Sequence, residues 1–242
     1  MSTTMAMTMT TSTESGGIAP GDLYRLLAWF SPSYPIGAFS YSHGIEYAVE
    51  TGRVKNAATL GDWIGHVLRH GAAWVDAVLL KEAYQAADDT ARLQELADLA
   101  AAWRGTAETA LESAQQGGSF VMVTRAAWGH PALDAFTAAR GERPVALSIA
   151  IGVAAAAHKL PLRPVLAAYL HAFAANLVSA AVRLIPLGQT DGQRALSALL
   201  PVVESVADCA LACPLDECGT AAPMVDLMSM QHETQYTRLF RS

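Results

Sequence analysis

The chain has 242 residues, 52% of them hydrophobic and 16% charged, and its 16 Lys and Arg against 22 Asp and Glu give a net charge of −6. This composition supplies enough apolar material for a substantial core and too little charge for a disordered protein. A weakly acidic chain without a basic run also lacks the electrostatic footprint of a nucleic-acid-binding protein.

The N-terminus, residues 1–19, is rich in Ser, Thr and Met and lacks the basic start and long apolar core of a secretory signal. We expect it to form a disordered tail and the protein to be cytoplasmic. The longest apolar run, residues 145–157, falls short of the ~20 residues that a bilayer crossing needs. The sequence therefore predicts no association with a membrane.

The first helix is expected to start at Asp22, whose carboxylate can cap free backbone N–H groups. It ends near Phe30, because Pro32 and Pro35 keep the residues before them out of helical geometry. The spacing predicts that one apolar face is buried. That face consists of Leu23, Leu26, Leu27 and Phe30.

The next stretch, SPSYPIGAFSYSHGIEYAVET at residues 31–51, joins loop-forming residues to an unusual density of large apolar side chains. Gly37 permits a turn, and a second helix is expected near Ser40 or Ser42, where a hydroxyl can cap it. A solvated loop would not carry so many aromatic residues. The stretch is therefore either packed beneath the fold or presented to a partner.

Further helices follow from the spacing of apolar residues. One begins near Thr59, and a bundle-type seam runs from Leu93 to Ala114, interrupted by Gly105 and weakened at residues 117–118. Residues 145–158 predict a buried helix, and Pro164 fits the first position of the next one. The seam comprises Leu93, Leu96, Ala100, Trp103, Ala107, Ala110 and Ala114.

The last long helix is expected to start at a capping box, TDGQ at residues 190–193, and to end before Pro214. No segment shows the period-two alternation of a strand. The sequence thus predicts an all-α fold, with a single irregular helical bundle domain over residues 20–218. A flexible tail precedes it, and a partner-docking segment at residues 219–242 follows it.

The sequence contains few candidates for a metal-binding or catalytic site. His66 and His70 lie one helical turn apart and are weak metal candidates, because nothing nearby supplies a third ligand. His43 and Glu46 resemble an acid–base pair, but a structural pair at a helix start is favoured, since no nucleophile or oxyanion group accompanies them. A metal site using the cysteines would need a histidine from elsewhere, because the spacing of Cys209, Cys213 and Cys218 matches no common zinc pattern.

The sequence contains no phosphate-binding loop, nucleophile elbow or H-E-x-x-H motif. It therefore predicts a protein that is not an enzyme, with no catalytic residue and no cofactor. The C-terminal segment is different, since it carries large apolar side chains with arginines between them. Ordering residues 229–242 costs roughly 1–2 kcal/mol per residue, and burying four large side chains returns about 1.5–3 kcal/mol each. The segment must therefore dock on its own body or on another protein.

Three blocks of the sequence resemble the UreF family of urease accessory proteins. They are SPSYPIGAFSYSHGIEYAVETG near the start, YLHAFAANLVSAAVRLIPLGQTDGQRAL in the second half and DLMSMQHETQYTRLFRS at the end. The likeness extends over nearly all of residues 20–242. It departs from the family at Gly118 and Ser119, where a smooth helix is expected, and at the Ser/Thr/Met-rich start.

The resemblance implies an all-helical, dimer-forming, cytoplasmic protein without catalysis of its own. Its partners would be the UreD scaffold, also called UreH, the UreG GTPase and the urease apoprotein, to which nickel is delivered. A dedicated nickel site is not implied. The C-terminal block is the part expected to order on UreD, and we predict that residues 231–241 fold there.

A bridging protein needs two apolar-aromatic patches, which we assign to the stretch around residues 34–47 and to the C-terminal segment. In the first patch the predicted partner-binding residues are Tyr34, Pro35, Gly37, Phe39, Ser40, Tyr41, Gly44 and Glu46. In the second they are Met230, His232, Glu233, Tyr236, Arg238, Leu239, Phe240 and Arg241.

Two alternatives remain open. A regulator of the GTPase-activating type would supply UreG with an arginine, a contribution worth about 10³ to 10⁵ in rate. Arg53, Arg143 and Arg194 are the exposed candidates. A helical metal-binding module would instead use His66 and His70 or the cysteines.

Overall fold

The computed structural model describes residues 17–242, and in that range the chain forms twelve α-helices and no strand. The all-α prediction is confirmed. The expected disordered tail falls mainly on residues 1–16, which lie outside the described residues. In chain order the helices are α1 (Pro20–Trp29), α2 (Ile45–Glu50), α3 (Ala57–His70), α4 (Ala72–Gln85), α5 (Thr90–Ala102), α6 (Ala107–Ala127), α7 (Pro131–Arg140), α8 (Leu147–Ala157), α9 (Leu162–Leu184), α10 (Gln189–Ala198), α11 (Leu200–Ala212) and α12 (Pro223–His232).

The centre of the bundle is the pair α4 and α8, around which α3, α5, α6, α9 and α11 pack. Helix α8 is almost entirely apolar and buried, as predicted for residues 145–158. A Cβ at Gly152 would lie 2.6 Å from the carbonyl oxygen of Leu80. Glycine is therefore required there, because it lets the backbones of the two helices touch.

Helix α9 is the longest helix among the described residues, with 23 residues, and it is apolar enough to cross a membrane by length and composition alone. The sequence-based search for an apolar run overlooked it. Half of its most apolar stretch is buried, and it packs against α4, α10 and α11. Helix α9 thus occupies the position of a core helix in this bundle.

The expected starts of the first two helices are wrong. Helix α1 begins at Pro20, because proline suits the first helical turn, where its missing N–H has no partner to lose. Asp22 lies inside that turn and does not cap it. Helix α2 begins at Ile45, after a short 3-10 turn at Ala38–Ser40, and Gly44 occupies its N-cap position. The Ser42 hydroxyl nevertheless accepts a hydrogen bond from the Glu46 backbone N–H at 3.4 Å, so the predicted capping by Ser42 is confirmed in part.

The expected apolar face of α1 is only partly buried. Leu26 and Trp29 lie in the core, and Phe30 is half-buried. Leu23 and Leu27, which were predicted to pack beside them, are exposed. Helix α1 therefore contacts the bundle through a narrow face that includes Leu26 and Trp29. The wider buried face predicted from the sequence is wrong.

The capping box lies in a different place from the predicted one. Asn56 accepts a hydrogen bond from the backbone N–H of Thr59 at 3.0 Å, and the Thr59 hydroxyl accepts one from the backbone N–H of Asn56 at 3.2 Å. With this cap, α3 begins at Ala57, two residues before the predicted start at Thr59. Residues 190–193 form no cap, because α10 already begins at Gln189. The predicted last long helix is two helices, α10 and α11, bent by 40°. Helix α9 begins at Leu162, ahead of Pro164.

Helix α6 departs furthest from its prediction. It runs unbroken through residues 117–118, and a Cβ at Gly117 would lie 2.0 Å from the carbonyl oxygen of Val145 on the approach to α8. The predicted seam fails beyond Trp103, since Ala107 is exposed and Ala110 and Ala114 are only half-buried. The buried face of the first half of α6 is polar instead, and it consists of Glu108, Thr109, Glu112, Ser113 and Gln116.

Candidate partner-binding site

The polar face of α6 is covered by the end of the chain. Helix α12 packs on α2 and α6, and residues 233–242, here called the C-terminal strap, continue from it. A Cβ at Gly44, where φ is +78°, would lie 2.9 Å from the backbone nitrogen of Ser229. The hydroxyls of Ser229 and Thr106 are 2.8 Å apart. Gly44 therefore serves close packing, which requires a residue without a side chain.

The C-terminal strap is fixed to the body mainly through its backbone. Glu46 accepts hydrogen bonds from the backbone N–H groups of Leu239, at 2.6 Å, and of Phe240, at 2.9 Å. The Arg241 N–H donates to the carbonyl of Ser40 at 2.9 Å. Phe240 is 4% exposed, and the Arg183 guanidinium lies 4.3 Å from the centre of its ring. Ser242 is buried, its hydroxyl donates to Glu112 Oε2 at 2.9 Å, and its carbonyl accepts from the Ser42 N–H at 2.7 Å. The strap is thus packed and hydrogen-bonded along its last four residues.

A buried polar network joins the strap to two helices. His232 lies between Glu108 of α6 and Glu46 of α2. The Arg238 guanidinium donates to Glu108 Oε1 at 2.9 Å. Burial raises the pKa of Glu108 above its ordinary value, and the contacts with His232 and Arg238 counteract only part of that rise, so these two residues offset part of the cost of burying the carboxylate.

The structure decides between the two docking alternatives left open by the sequence. Residues 231–241 lie folded on the chain's own body, so the expectation that they order only on a partner is wrong. The energy comparison behind that expectation counted apolar burial alone. It omitted the hydrogen bonds that Glu46 and Glu108 make to the strap, which are charge-assisted and therefore stronger than neutral ones.

A set of large apolar side chains on α12 and the strap stays uncovered. Tyr236 is fully exposed, Leu239 is 63% exposed and Phe39 is 68% exposed. Phe39 belongs to the same region, because Arg183 contacts both its ring and that of Phe240. We define the terminal surface as Phe39, Leu227, Met230, Tyr236 and Leu239.

The predicted partner-binding residues divide into two groups. Ser40 is half-buried, and the exposed ones are Pro35, Gly37, Phe39, Met230, Glu233, Tyr236, Arg238, Leu239 and Arg241. The buried ones are Tyr34, Tyr41, Gly44, Glu46, His232 and Phe240. Most of the two predicted patches therefore form one region, and its buried members hold the exposed ones in place.

Tyr34 does not belong to that region. Its ring packs on Phe120 and its hydroxyl lies 2.8 Å from that of Thr124, both on α6. Burial raises the pKa of Tyr34, which keeps the phenol neutral. Tyr34 anchors the loop that follows α1.

A second buried polar cluster lies in the core, and no sequence motif indicated it. Asp76 of α4 pairs with Arg104 and accepts hydrogen bonds from Ser148 at 2.8 Å and Tyr169 at 2.9 Å. Burial is the main cause that raises the pKa of Tyr169 well above its ordinary value. The cluster borders a cavity of about 210 Å³ into which His43 also faces. Nothing in the local spacing of these residues points to their meeting.

The metal candidates gain no further ligand. The rings of His66 and His70 are 5.1 Å apart at their centres, on the exposed side of α3. Over residues 17–242 there is no group of three or more His, Cys, Asp and Glu side chains arranged to hold a metal ion. Cys209 is exposed, and burial raises the pKa of the half-buried Cys218 thiol to about 11.

The three candidate arginines differ in their contacts. Arg143 donates to Gln94 at 2.8 Å and lies 3.4 Å from Asp98. Arg194 pairs with Asp191 one turn earlier, at 2.8 Å. Arg53 is exposed and has no ion pair within residues 17–242.

A family model and several curated relatives match this chain over most of its length, and all of them carry the same family name. The family model described as UreF matches residues 54–200. The urease accessory protein UreF of Granulibacter bethesdensis is 54% identical over 222 residues, which is 91% of this chain and 94% of the relative. The proteins of the same name from Rhodopseudomonas palustris strain BisA53 and Bradyrhizobium diazoefficiens are 49% and 46% identical over 97% and 98% of this chain, and both are covered over their whole length.

Proposed function

The chain belongs to the UreF family of urease accessory proteins, and from this premise we propose that it is a nickel-insertion chaperone without catalysis of its own. It bridges the UreD (UreH) scaffold and the UreG GTPase on the urease apoprotein, so that nickel reaches the urease active site. It acts in the cytoplasm as a homodimer and uses no cofactor.

The terminal surface is the observation that carries the proposal. It places Phe39, Tyr236 and Leu239 in solvent on a segment that is otherwise anchored and hydrogen-bonded. An exposed apolar patch rimmed by charged residues is typical of a protein–protein interface, and Arg238 and Arg241 supply such a rim. UreD is the partner that we assign to this surface.

The buried residues of the same region have a supporting role. Gly44 and Glu46 hold α12 and the strap, and Phe240 fixes the end of the strap to the body. Because the surface is held in place before it meets UreD, less conformational entropy is lost on binding than with a disordered tail. This explains why a docked segment can still be the partner-binding part of the chain.

Co-purification with UreD tests the proposal. Replacing Tyr236 and Leu239 together by alanine removes two exposed side chains and leaves the buried anchors in place, so UreD capture is expected to be lost while the chain stays folded. Met122→Ala is the matched control, since Met122 is about as exposed as Leu239 and lies on α6, about 20 Å along that helix from Glu108. Undiminished capture by the double variant would refute the assignment.

A regulatory role towards UreG is the second candidate, and the exposure of Arg53 is the observation that favours it. Arg143 and Arg194 are held by acidic or amide side chains. Arg53 is free of an ion pair in the described part of the chain and follows the turn at the end of α2. A side chain in that position can reach a partner without first breaking a salt bridge.

A further inference from the structure

His232 has an unusual environment for a histidine of a helical bundle. Its side chain is fully buried, with Nδ1 2.8 Å from Glu108 Oε2 and Nε2 3.0 Å from Glu46 Oε2. The two carboxylates come from different helices and from positions more than a hundred residues away in sequence. Both ring nitrogens therefore face a hydrogen-bond acceptor.

The neutral and the protonated imidazole ring differ in how many hydrogen bonds they can donate to the two carboxylates. A neutral ring carries one N–H, so one of its nitrogens would turn a lone pair towards a carboxylate oxygen. The imidazolium carries two N–H groups and can donate to both carboxylates. Protonation of His232 on both nitrogens therefore gives each carboxylate a hydrogen-bond donor.

With that proton in place, the charges of the four side chains in the network balance. Glu46 and Glu108 bring two negative charges, and Arg238 and protonated His232 bring two positive ones. Loss of the His232 proton would leave one uncompensated negative charge among side chains that are almost completely buried.

Acidic groups outnumber basic ones on the elements packed around His232. The elements packed around His232 are α2, the loop before α2, α6, α12 and the strap. Their titratable and charged groups in this region are His43, Glu46, Glu50, Glu108, Glu112, Asp226, Glu233, Arg238 and Arg241.

We propose that protonated His232 is the positioning residue that holds the C-terminal strap on the body, and that the strap is released when His232 loses its proton. The terminal surface is then presented to a partner in the protonated state only. This consequence for UreD rests on the proposed function, whereas the hold on the strap is a property of the chain alone.

Glu108→Gln is expected to abolish the requirement for the proton. The amide oxygen can replace Oε1 and accept from Arg238, while the amide nitrogen replaces Oε2 and donates to His232 Nδ1. Neutral His232 then donates through Nε2 to Glu46, so every contact is satisfied. The strap of E108Q should stay closed when His232 is neutral.

Glu46→Gln makes the same change of charge and is expected to have the opposite effect. Both oxygens of Glu46 accept backbone N–H groups, one from Leu239 and one from Phe240. Whichever way the new amide is turned, its nitrogen faces one of these donors and a hydrogen bond is lost. The strap of E46Q should be open whatever the protonation state of His232.

Amide hydrogen exchange at residues 233–242, corrected for the intrinsic rate and followed from about pH 5 to about pH 8, where histidine ordinarily titrates, tests the proposal on the isolated chain. In the wild type, strap opening should increase with pH by at most about tenfold per pH unit, because the closed strap holds one proton that the open strap releases. E108Q should lose the rise in opening at high pH, and E46Q should show high opening at both ends of the range. Exchange in α4 and α8 is the control for global folding.

A wild-type pH dependence that persists in E108Q, or equal behaviour of E46Q and E108Q, would overturn the proposal. UreD capture by E46Q, measured on the same samples, separates the two claims. If the exchange profiles are as expected but capture is unaffected, the hold by His232 is supported and the assignment of UreD to the terminal surface fails. If the profiles differ from expectation, the hold by His232 is rejected whatever the capture result.

Discussion

Phe240→Ala should loosen the C-terminal strap without unfolding the bundle. Phe240 is 4% exposed and packs under the Arg183 guanidinium. Burial of such a side chain contributes about 1.5–3 kcal/mol, and the cation–π contact at an exposed arginine adds about 0.5–1 kcal/mol. Because the strap is a chain end and can relax around the truncated residue, we expect a loss of about 3 kcal/mol in its local stability and no larger cavity cost.

A local loss of about 3 kcal/mol corresponds to roughly a hundredfold increase in the population of the open strap. Hydrogen exchange of the peptide 233–242 measures this directly, since amides that open locally exchange without global unfolding. The bundle helices α4 and α8 should keep their wild-type protection.

Leu239→Ala is the matched control, because Leu239 is the preceding residue and is 63% exposed. Its truncation should change the local stability by no more than about 0.5 kcal/mol. Equal exchange in the two variants would refute the division of the strap into buried anchors and an exposed surface. So would a Phe240→Ala variant with wild-type protection.

Two other predictions concern the core and UreG. Asp76→Ala should lower the free energy of unfolding by about 3–5 kcal/mol, measured by denaturant titration, because it leaves Arg104 buried without its partner; a loss below about 1 kcal/mol would contradict the importance of the pair. Arg53→Ala should change UreG GTP hydrolysis by less than about threefold if the chain is a scaffold, against a fall of about 10³ to 10⁵ if Arg53 acts on the transition state.

The helices of this fold could be predicted well where apolar residues dominate. Residues 145–157 are apolar on every side, which indicates a buried helix without ambiguity, and α8 confirms it. Helix starts were less predictable, because capping residues occur at more places than helices begin. Asp22 and Thr190 have suitable side chains, but Pro20 and Gln189 already lie in the helices concerned.

The polar face of α6 shows why the site itself was harder to predict. Hydrophobic periodicity assigns alanines to the core and glutamates to solvent, and on that basis Glu108 belongs outside. Its partners His232 and Arg238 come from 124 and 130 residues further along the chain. No local pattern contains that information, although His232 and Glu46 were each selected within partner-binding segments.

The exposed and buried parts of the strap were likewise indistinguishable in the sequence. Tyr236, Leu239 and Phe240 are all large and apolar, and only the folded chain shows that Phe240 is packed while the other two are in solvent. The strap has no regular periodicity, because it is neither a helix nor a strand. Spacing arguments therefore do not apply to it.

Capture of co-expressed UreD by the variant that carries both Tyr236→Ala and Leu239→Ala is the decisive experiment for a scaffold that binds through the terminal surface. We predict that capture is lost, that Met122→Ala captures UreD as the wild type does, and that both variants keep wild-type protection in α4 and α8. Full capture by the double variant would contradict the proposed role of the terminal surface.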